Sequence, residues 1–167
     1  MPIETITFQG EQYPAFQAEG NAAQWIRPFT QRLCKGKGYD IGFGRPEWCL
    51  PGAIPIELNR YGIKGCGAMN LPEFGVDFIV ASHVLEHLGD WVAAIEYWTS
   101  ALKNGGILFI YTAHSSQRYW RPYNNRKHKH WFEPNMIVDC MRAFGYINIF
   151  NSERDLNHSF SVVGEKG

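Results

Sequence analysis

The sequence lacks an excess of charge of either sign: 16 Lys and Arg balance 16 Asp and Glu over 167 residues. The molecule as a whole therefore has no strong pull toward nucleic acid or an anionic membrane surface. Cysteine is scarce. Its four copies, Cys34, Cys49, Cys66 and Cys140, never form a CxxC pair. That argues against the common structural zinc and thiol-redox motifs and points to reduced, mostly buried thiols in a reducing compartment, which we take to be cytoplasmic. No apolar run approaches the roughly 20 residues that cross a bilayer. The first residues, MPIETITFQGEQYP, have neither the basic start nor the apolar stretch of a secretion signal. Internal repeats, linkers and low-complexity tracts are absent, so the chain reads as one domain, 1–167, able to bury a core without staples.

What is present is a series of short apolar runs, most of them closed by one of the 17 glycines. Tyr39-Asp40-Ile41 is a strand signal ended by Gly42-Phe43-Gly44. Residues 53–58 (AIPIEL) form a second, in which Pro55 argues against a central paired position. Residues 76–82 (VDFIVAS) and 107–111 (ILFIY) are continuous enough to be covered on both faces, as in a parallel sheet. Between them Asp90 can cap a helix carrying Trp91, Ala94, Ile95, Trp98 and Leu102 on one face, stopped at Asn104-Gly105-Gly106. Strand, helix, strand is one βαβ unit, and its crossover is expected to be right-handed. Pro134 suits a first helical turn, with Ile137, Met141 and Phe144 on one face and Gly145 ending the helix. Residues 146–150 (YINIF) and 159–164 (SFSVVG) are joined by a loop too short for a crossover helix, so they should pair antiparallel. Upstream, Trp25, Ile26, Phe29 and Leu33 have helical spacing that Pro28 should interrupt. Residues 1–20 carry no clear pattern.

The chemistry concentrates where strands end. A glycine-rich turn leaving a strand lets a ligand approach backbone N–H groups, and Glu57, thirteen residues after Gly44, closes the next strand with a carboxylate able to hold both hydroxyls of a ribose. The third glycine of a GxGxxG cradle is missing, and Glu47 would repel a pyrophosphate there. A nicotinamide oxidoreductase is therefore disfavoured. Taken alone, the same residues could be a plain turn and a solvated glutamate.

The order Tyr39–Gly44, Glu57, Gly67-Ala68-Met69-Asn70-Leu71-Pro72, Phe78–Leu88 and Leu102–Gly106 resembles the small class I, Rossmann-like S-adenosylmethionine-dependent methyltransferases over about residues 36–164. The resemblance implies an α/β, doubly wound, mostly parallel seven-stranded sheet with an antiparallel last pair, and S-adenosyl-L-methionine as cofactor. It implies that Asp40 orients the first loop and the methionine end, that Gly42, Phe43 and Gly44 pass beneath that end, and that Glu57 holds the ribose. Ala68 and Met69 would line the adenine, and Ser82 and His83 would sit beside the reacting centre. Three features depart from the family. Gly67 stands where an aspartate usually reads the adenine amino group, so adenine binding should lean on backbone and packing. Arg45–Gly52 (RPEWCLPG) is too short and too rich in proline for the helix usual after the glycine loop, which should be truncated. The loop also carries Phe43 in place of a third small residue.

The implied activity is methyl transfer to an oxygen or nitrogen of a small, sugar-containing or anionic acceptor. The alternative is a methyltransferase-like binding protein without turnover. Candidate bases are His83, His114 and His130, while His87 reads as structural. His83–His87 also spells HxxEH, a zinc-peptidase pattern that needs both histidines on one helical face. Here the run follows directly on a buried strand, and we expect no metal. Residues 117–131 (QRYWRPYNNRKHKHW) interleave five cationic residues with four aromatics and contain no acid. They read either as a solvated basic loop or as a substrate lid in which aromatics stack on sugars and arginines clamp anions. Nucleic acid is not the expected partner, and the oligomeric state is open.

Overall fold

The computed structural model describes residues 2–57, 67–118 and 128–167. An antiparallel hairpin, β1 (Thr5–Phe8) and β2 (Glu11–Pro14), is followed by a short helix α1 (Ala15–Ala18) and by α2 (Ala23–Leu33). The main sheet then alternates with helices: β3 (Gly38–Ile41), β4 (Ile54–Ile56), β5 (Val76–Ser82), α3 (Trp91–Ala101), β6 (Leu102–Ala113), α4 (Pro134–Ala143), β7 (Tyr146–Asn151) and β8 (Ser159–Lys166). Among the described residues this sheet has six strands in the order β4-β3-β5-β6-β8-β7. The first four run parallel; β8 is antiparallel to both β6 and β7.

All six strands expected from the sequence form. Pro55 sits in a three-residue strand that pairs only with β3 among the described residues, the short position that a missing N–H tolerates. Asp90 caps α3 by accepting from Ala93 N at 2.9 Å, and Pro134 opens α4. Segment 58–66, between β4 and the 67–70 turn, lies outside the described residues.

Both faces of the sheet are covered, which is why its central strands are apolar without alternation. On one face α3 and α4 place Ala94, Ile95, Trp98, Ile137 and Met141 over Ile41, Ile79, Ile110 and Val162. On the other, α2 and Leu50 lie over Phe78, Val80, Phe109 and Tyr111. Trp98 is fully buried, and its indole N–H donates to Ala68 O at 2.8 Å, so the core itself fixes the 67–70 turn.

Helix α2 corrects the sequence expectation. It runs through Pro28 without ending, and Phe29 and Leu33 are exposed. Its buried residues are Ala22, at the N-cap, Ile26 and Thr30, continued by Cys34, a strict i, i+4 stripe. Choosing the most apolar residues picks a neighbouring stripe, because large exposed apolar side chains are ordinary. Small Ala22 and Thr30, whose hydroxyl donates to Arg27 O at 3.1 Å, allow the close approach to the sheet.

Candidate functional site

At the C-terminal end of β3 the chain turns through Gly42 and Gly44, with φ of 76° and 81°. Only glycine takes this path freely. A Cβ on Gly42 would stand 2.2 Å from Val84 Cγ2, so the loop is also pressed against the segment leaving β5. Phe43 between them is buried. Gly44 faces the Trp48 ring and Gly20 O. Glu57, just past β4, turns toward this loop: its Oε2 lies 3.4 Å from Gly44 N. Glycine loop and carboxylate thus face each other across adjacent strand ends.

Asp40 points the other way, into the stretch that follows the loop. It is buried, and its Oδ2 accepts from Leu50 N at 2.7 Å. Burial pushes its carboxyl up to about 6, against the opposing pull of that N–H and of Arg27. Arg27 itself donates from α2 to Trp48 O and to Cys49 O, the latter at 3.2 Å. One 3₁₀ turn, Pro46–Trp48, is the only helical piece between β3 and β4, and these two side chains hold it in place. Burial also pushes the Cys34 and Cys49 thiols up to about 12, which leaves them unreactive.

Ala68 and Met69 lie in the turn fixed by Trp98; Met69 is exposed and Ala68 packs against the core. Ser82 ends β5, buried and paired with Tyr111 of β6. His83 follows with φ of 52°, a strained value for a non-glycine residue. Its ring is held from two sides. Nδ1 lies 2.9 Å from Glu86 Oε1, and Nε2 lies 3.3 Å from Ser159 Oγ. Glu86 is wholly buried in the 3₁₀ turn Leu85–His87, and its Oε2 accepts from Thr112 Oγ1 at 2.9 Å. Burial alone would push this carboxyl up; the surrounding imidazoles of His83, His87 and His128 more than offset that and hold it low. Burial pushes the His128 imidazole down to about 4 and leaves it neutral. Glu86, His83 and Ser159 lie in line, the first pair in contact at 2.9 Å and the second hydrogen-bonded, but Ser159 is fully buried, so it is no nucleophile for an outside substrate.

The other expected bases are nearby with different anchors. His114 Nδ1 lies 2.9 Å from Ser116 Oγ and Nε2 3.2 Å from Glu133. His130 Nε2 donates to Leu88 O at 2.7 Å. The His87 ring stands edge-on to His128 at 4.6 Å. The HxxEH residues do not share a helix. Within the basic tract, Arg118 pairs with Glu11, and Trp131 is exposed; Tyr119, Trp120, Arg121, Tyr123, Arg126 and Lys127 lie outside the described residues.

Two groups escaped sequence reasoning. Residues 5–21 fold over the same end of the sheet: the Tyr13 ring stacks on His158 at 4.4 Å, and Arg118 N donates to Tyr13 OH. In the turn that reaches Gly44 through Gly20 O, both amide atoms of Gln17 and Oδ1 of Asn21 are buried without a hydrogen-bond partner among the described residues. Such orphaned groups in a native fold mark a place for a polar ligand or water. The second group is a polar network joining β6 and the start of β8 to the loop that precedes it. Asp155 accepts from Tyr111 OH at 2.6 Å and from the N–H groups of Asn157 and Ser159, while Asn157 Nδ2 donates to Tyr111 OH at 2.9 Å. Only the Asp-x-Asn spacing, which favours a side chain bonding the backbone two residues on, hints at it. A cavity of about 460 Å³ lined by Gln31, Cys34, Lys35, Leu50, Pro51 and Phe78 opens beside the start of β3; none of the glycine loop, Glu57 or the histidines lines it.

Comparison with known proteins accords with this geometry. A family model described as "Methyltransferase domain" matches residues 18–151. A search of curated proteins gives no significant match. The fold is similar to that of an S-adenosylmethionine-dependent methyltransferase from Archaeoglobus fulgidus, with a TM-score of 0.67 and 16% identity over 90% of this chain and 99% of that one. A Thermotoga maritima S-adenosylmethionine-dependent methyltransferase has a TM-score of 0.67 and 17% identity, covering 91% of this chain and 92% of its own. The N-methyltransferase NodS from Bradyrhizobium japonicum, solved with S-adenosyl-L-homocysteine, has a TM-score of 0.60 and 15% identity over 91% and 88%. The cofactor of the group is S-adenosylmethionine, and two glycines at positive φ facing a carboxylate, beside orphaned buried amides, fit it. No helix among the described residues is long and apolar enough to cross a membrane. The chain belongs to the methyltransferase-domain family, within the class I S-adenosylmethionine-dependent methyltransferases.

Proposed function

We propose that the protein transfers a methyl group to an oxygen or nitrogen of a small acceptor, and that the C-terminal ends of β3, β4 and β5 bind the cofactor. The observation that carries this is the Glu57 carboxylate turned toward Gly44 N at 3.4 Å. In this reading Glu57 accepts from the ribose hydroxyls, and the Gly42–Gly44 backbone runs beneath the methionine end. Asp40 acts on that end indirectly, by fixing Leu50 and the stretch after the loop. The buried amides of Gln17 and Asn21 suit its amino and carboxylate groups. Ala68 and Met69 lie at the adenine, where Gly67 offers no side-chain acceptor.

The cofactor supplies a methyl group already activated on sulfur. The chain's own share is alignment, exclusion of water and, for a hydroxyl acceptor, removal of a proton. Among His83, His114 and His130, we assign the base to His83. Glu86 faces its Nδ1 at 2.9 Å and so orients the ring, which follows directly on Ser82 at the end of β5. Exposed Trp131 and Arg118, at the borders of the basic tract, support an acceptor that is anionic or carries a sugar.

Isothermal titration with S-adenosyl-L-homocysteine tests the reading. One equivalent bound per chain supports it. No heat and no thermal stabilisation with a folded protein would overturn it in favour of a methyltransferase-like protein that binds no such nucleoside.

A further inference from the structure

Three ligand-type side chains from two separate stretches of chain converge just past β5. Glu86 and His87 come from the 3₁₀ turn after the strand, and His128 comes from the segment leading to Phe132. Their carboxylate and imidazole donor atoms all lie within 4.8 Å of one another. Glu86 and His128 are buried, and His87 is partly so. We infer that Glu86, His87 and His128 form a binding site for one divalent cation of the Zn²⁺ or Co²⁺ type.

The donor set selects the cation. Two imidazoles and one carboxylate suit borderline transition ions, whereas Mg²⁺ and Ca²⁺ prefer oxygen alone. Ligand atoms about 2.1 Å from a shared ion are at most about 4.2 Å apart, so closing the cluster asks only for small side-chain rotations. The surroundings hold the ligands in place. Thr112 Oγ1 donates to Glu86 Oε2, and His83 Nδ1 lies 2.9 Å from Oε1. The 128–130 segment is fastened to the turn by Lys129 N donating to Glu86 O and His130 Nε2 to Leu88 O, both at 2.7 Å. Such outer contacts are what fix ligand orientation in metal sites. The set differs from the HxxEH pattern, because its first histidine faces Glu86 and Ser159 instead of joining the donors.

Three protein ligands leave at least one position open. Next to Ser82 and His83, that position would take a hydroxyl of the acceptor and ease loss of its proton to His83, the base assigned above. The oxygen–methyl bond then forms as the methyl–sulfur bond breaks, with the electron pair left on sulfur. This role rests on the methyl-transfer reading; the cation site does not.

The test uses untagged full-length protein stripped with a chelator, titrated with Co²⁺ while its visible absorption is followed, then competed with Zn²⁺. One equivalent of Co²⁺ displaced by Zn²⁺ is expected, with His128→Asn and His87→Asn each weakening uptake by more than the roughly 10–100-fold typical of losing an outer contact. His83→Asn should weaken it within that range. No uptake by folded wild-type protein, or unchanged uptake in His128→Asn, would overturn the site. Should the variants fail to fold, X-ray absorption on Zn²⁺-loaded wild type decides: a shell containing two imidazoles supports the site, and a shell without imidazole overturns it. Titration of the stripped protein with S-adenosyl-L-homocysteine separates the two readings. Nucleoside binding without Co²⁺ uptake rejects the cation alone, and Co²⁺ uptake without nucleoside binding rejects the methyl-transfer reading alone.

Discussion

Two neighbouring regions share one end of the sheet and are built from opposite materials. The half on β3 and β4 is made of backbone: two glycines at positive φ, a 3₁₀ turn, and one carboxylate, Glu57, facing them. The half on β5, β6 and β8 is made of buried and half-buried side chains: Glu86, His83, Thr112, Tyr111, Asp155, Asn157 and Ser159, tied to one another by hydrogen bonds and by the His83–Glu86 contact. A backbone hollow can pass under a large ligand with few specific side chains. A buried polar network cannot lose one member without stranding the others. The first half suits a cofactor held along its length, and the second suits holding a proton acceptor in one orientation.

The contrast can be broken from either side, beginning with the largest effect. With a hydroxyl acceptor in hand, His83→Ala should lower kcat by about 10²–10⁴ with little change in S-adenosyl-L-homocysteine affinity. A fall of less than tenfold for His83, His114 and His130 alike would remove the side-chain base. Glu86→Ala should cost about 3–5 kcal/mol of stability, read by urea unfolding, because it strips a buried charge from its partners His83 and Thr112. Gly42→Ala should cost about 2–4 kcal/mol by the same measurement, combining a left-handed backbone with a Cβ 2.2 Å from Val84 Cγ2.

The smallest of these is a pH effect. Asp40 has its carboxyl raised from 3.8 to about 6 by burial. A raised carboxyl favours the fold most below its unfolded value, and that contribution is lost as pH rises through the folded one. Wild type should therefore lose on the order of 2–3 kcal/mol relative to Asp40→Asn between pH 4 and pH 7, since Asn keeps an acceptor for Leu50 N and does not titrate. Parallel stability curves for the two proteins would contradict the burial of a charged Asp40.

The same contrast explains what could be read from the chain alone. Glycine turns, caps and apolar runs act locally, so Gly42–Gly44, the Asp90 cap and all six strands were legible, and so were Glu57 and Ser82 as strand ends. The α2 stripe was misread because Phe29 and Leu33 outweigh Ala22 and Thr30 in apolarity but not in fit against the sheet. The histidine half was legible only in part. His83 stood out by its place after a strand, while its partner Ser159 is 76 residues away and Thr112 is 26 residues from Glu86. Such pairings exist only once β5, β6 and β8 lie side by side. The covering of the site by residues 5–21 has the same origin, since Tyr13 meets His158 and Arg118 across the whole fold.

The backbone half is most directly tested by calorimetric titration of wild type and Glu57→Ala with S-adenosyl-L-homocysteine. Loss of a charge-assisted hydrogen-bonding carboxylate should weaken binding by roughly 1.5–3 kcal/mol, with the unfolding midpoint nearly unchanged. Equal affinity in the two proteins would mean that the carboxylate facing Gly44 does not hold the ribose.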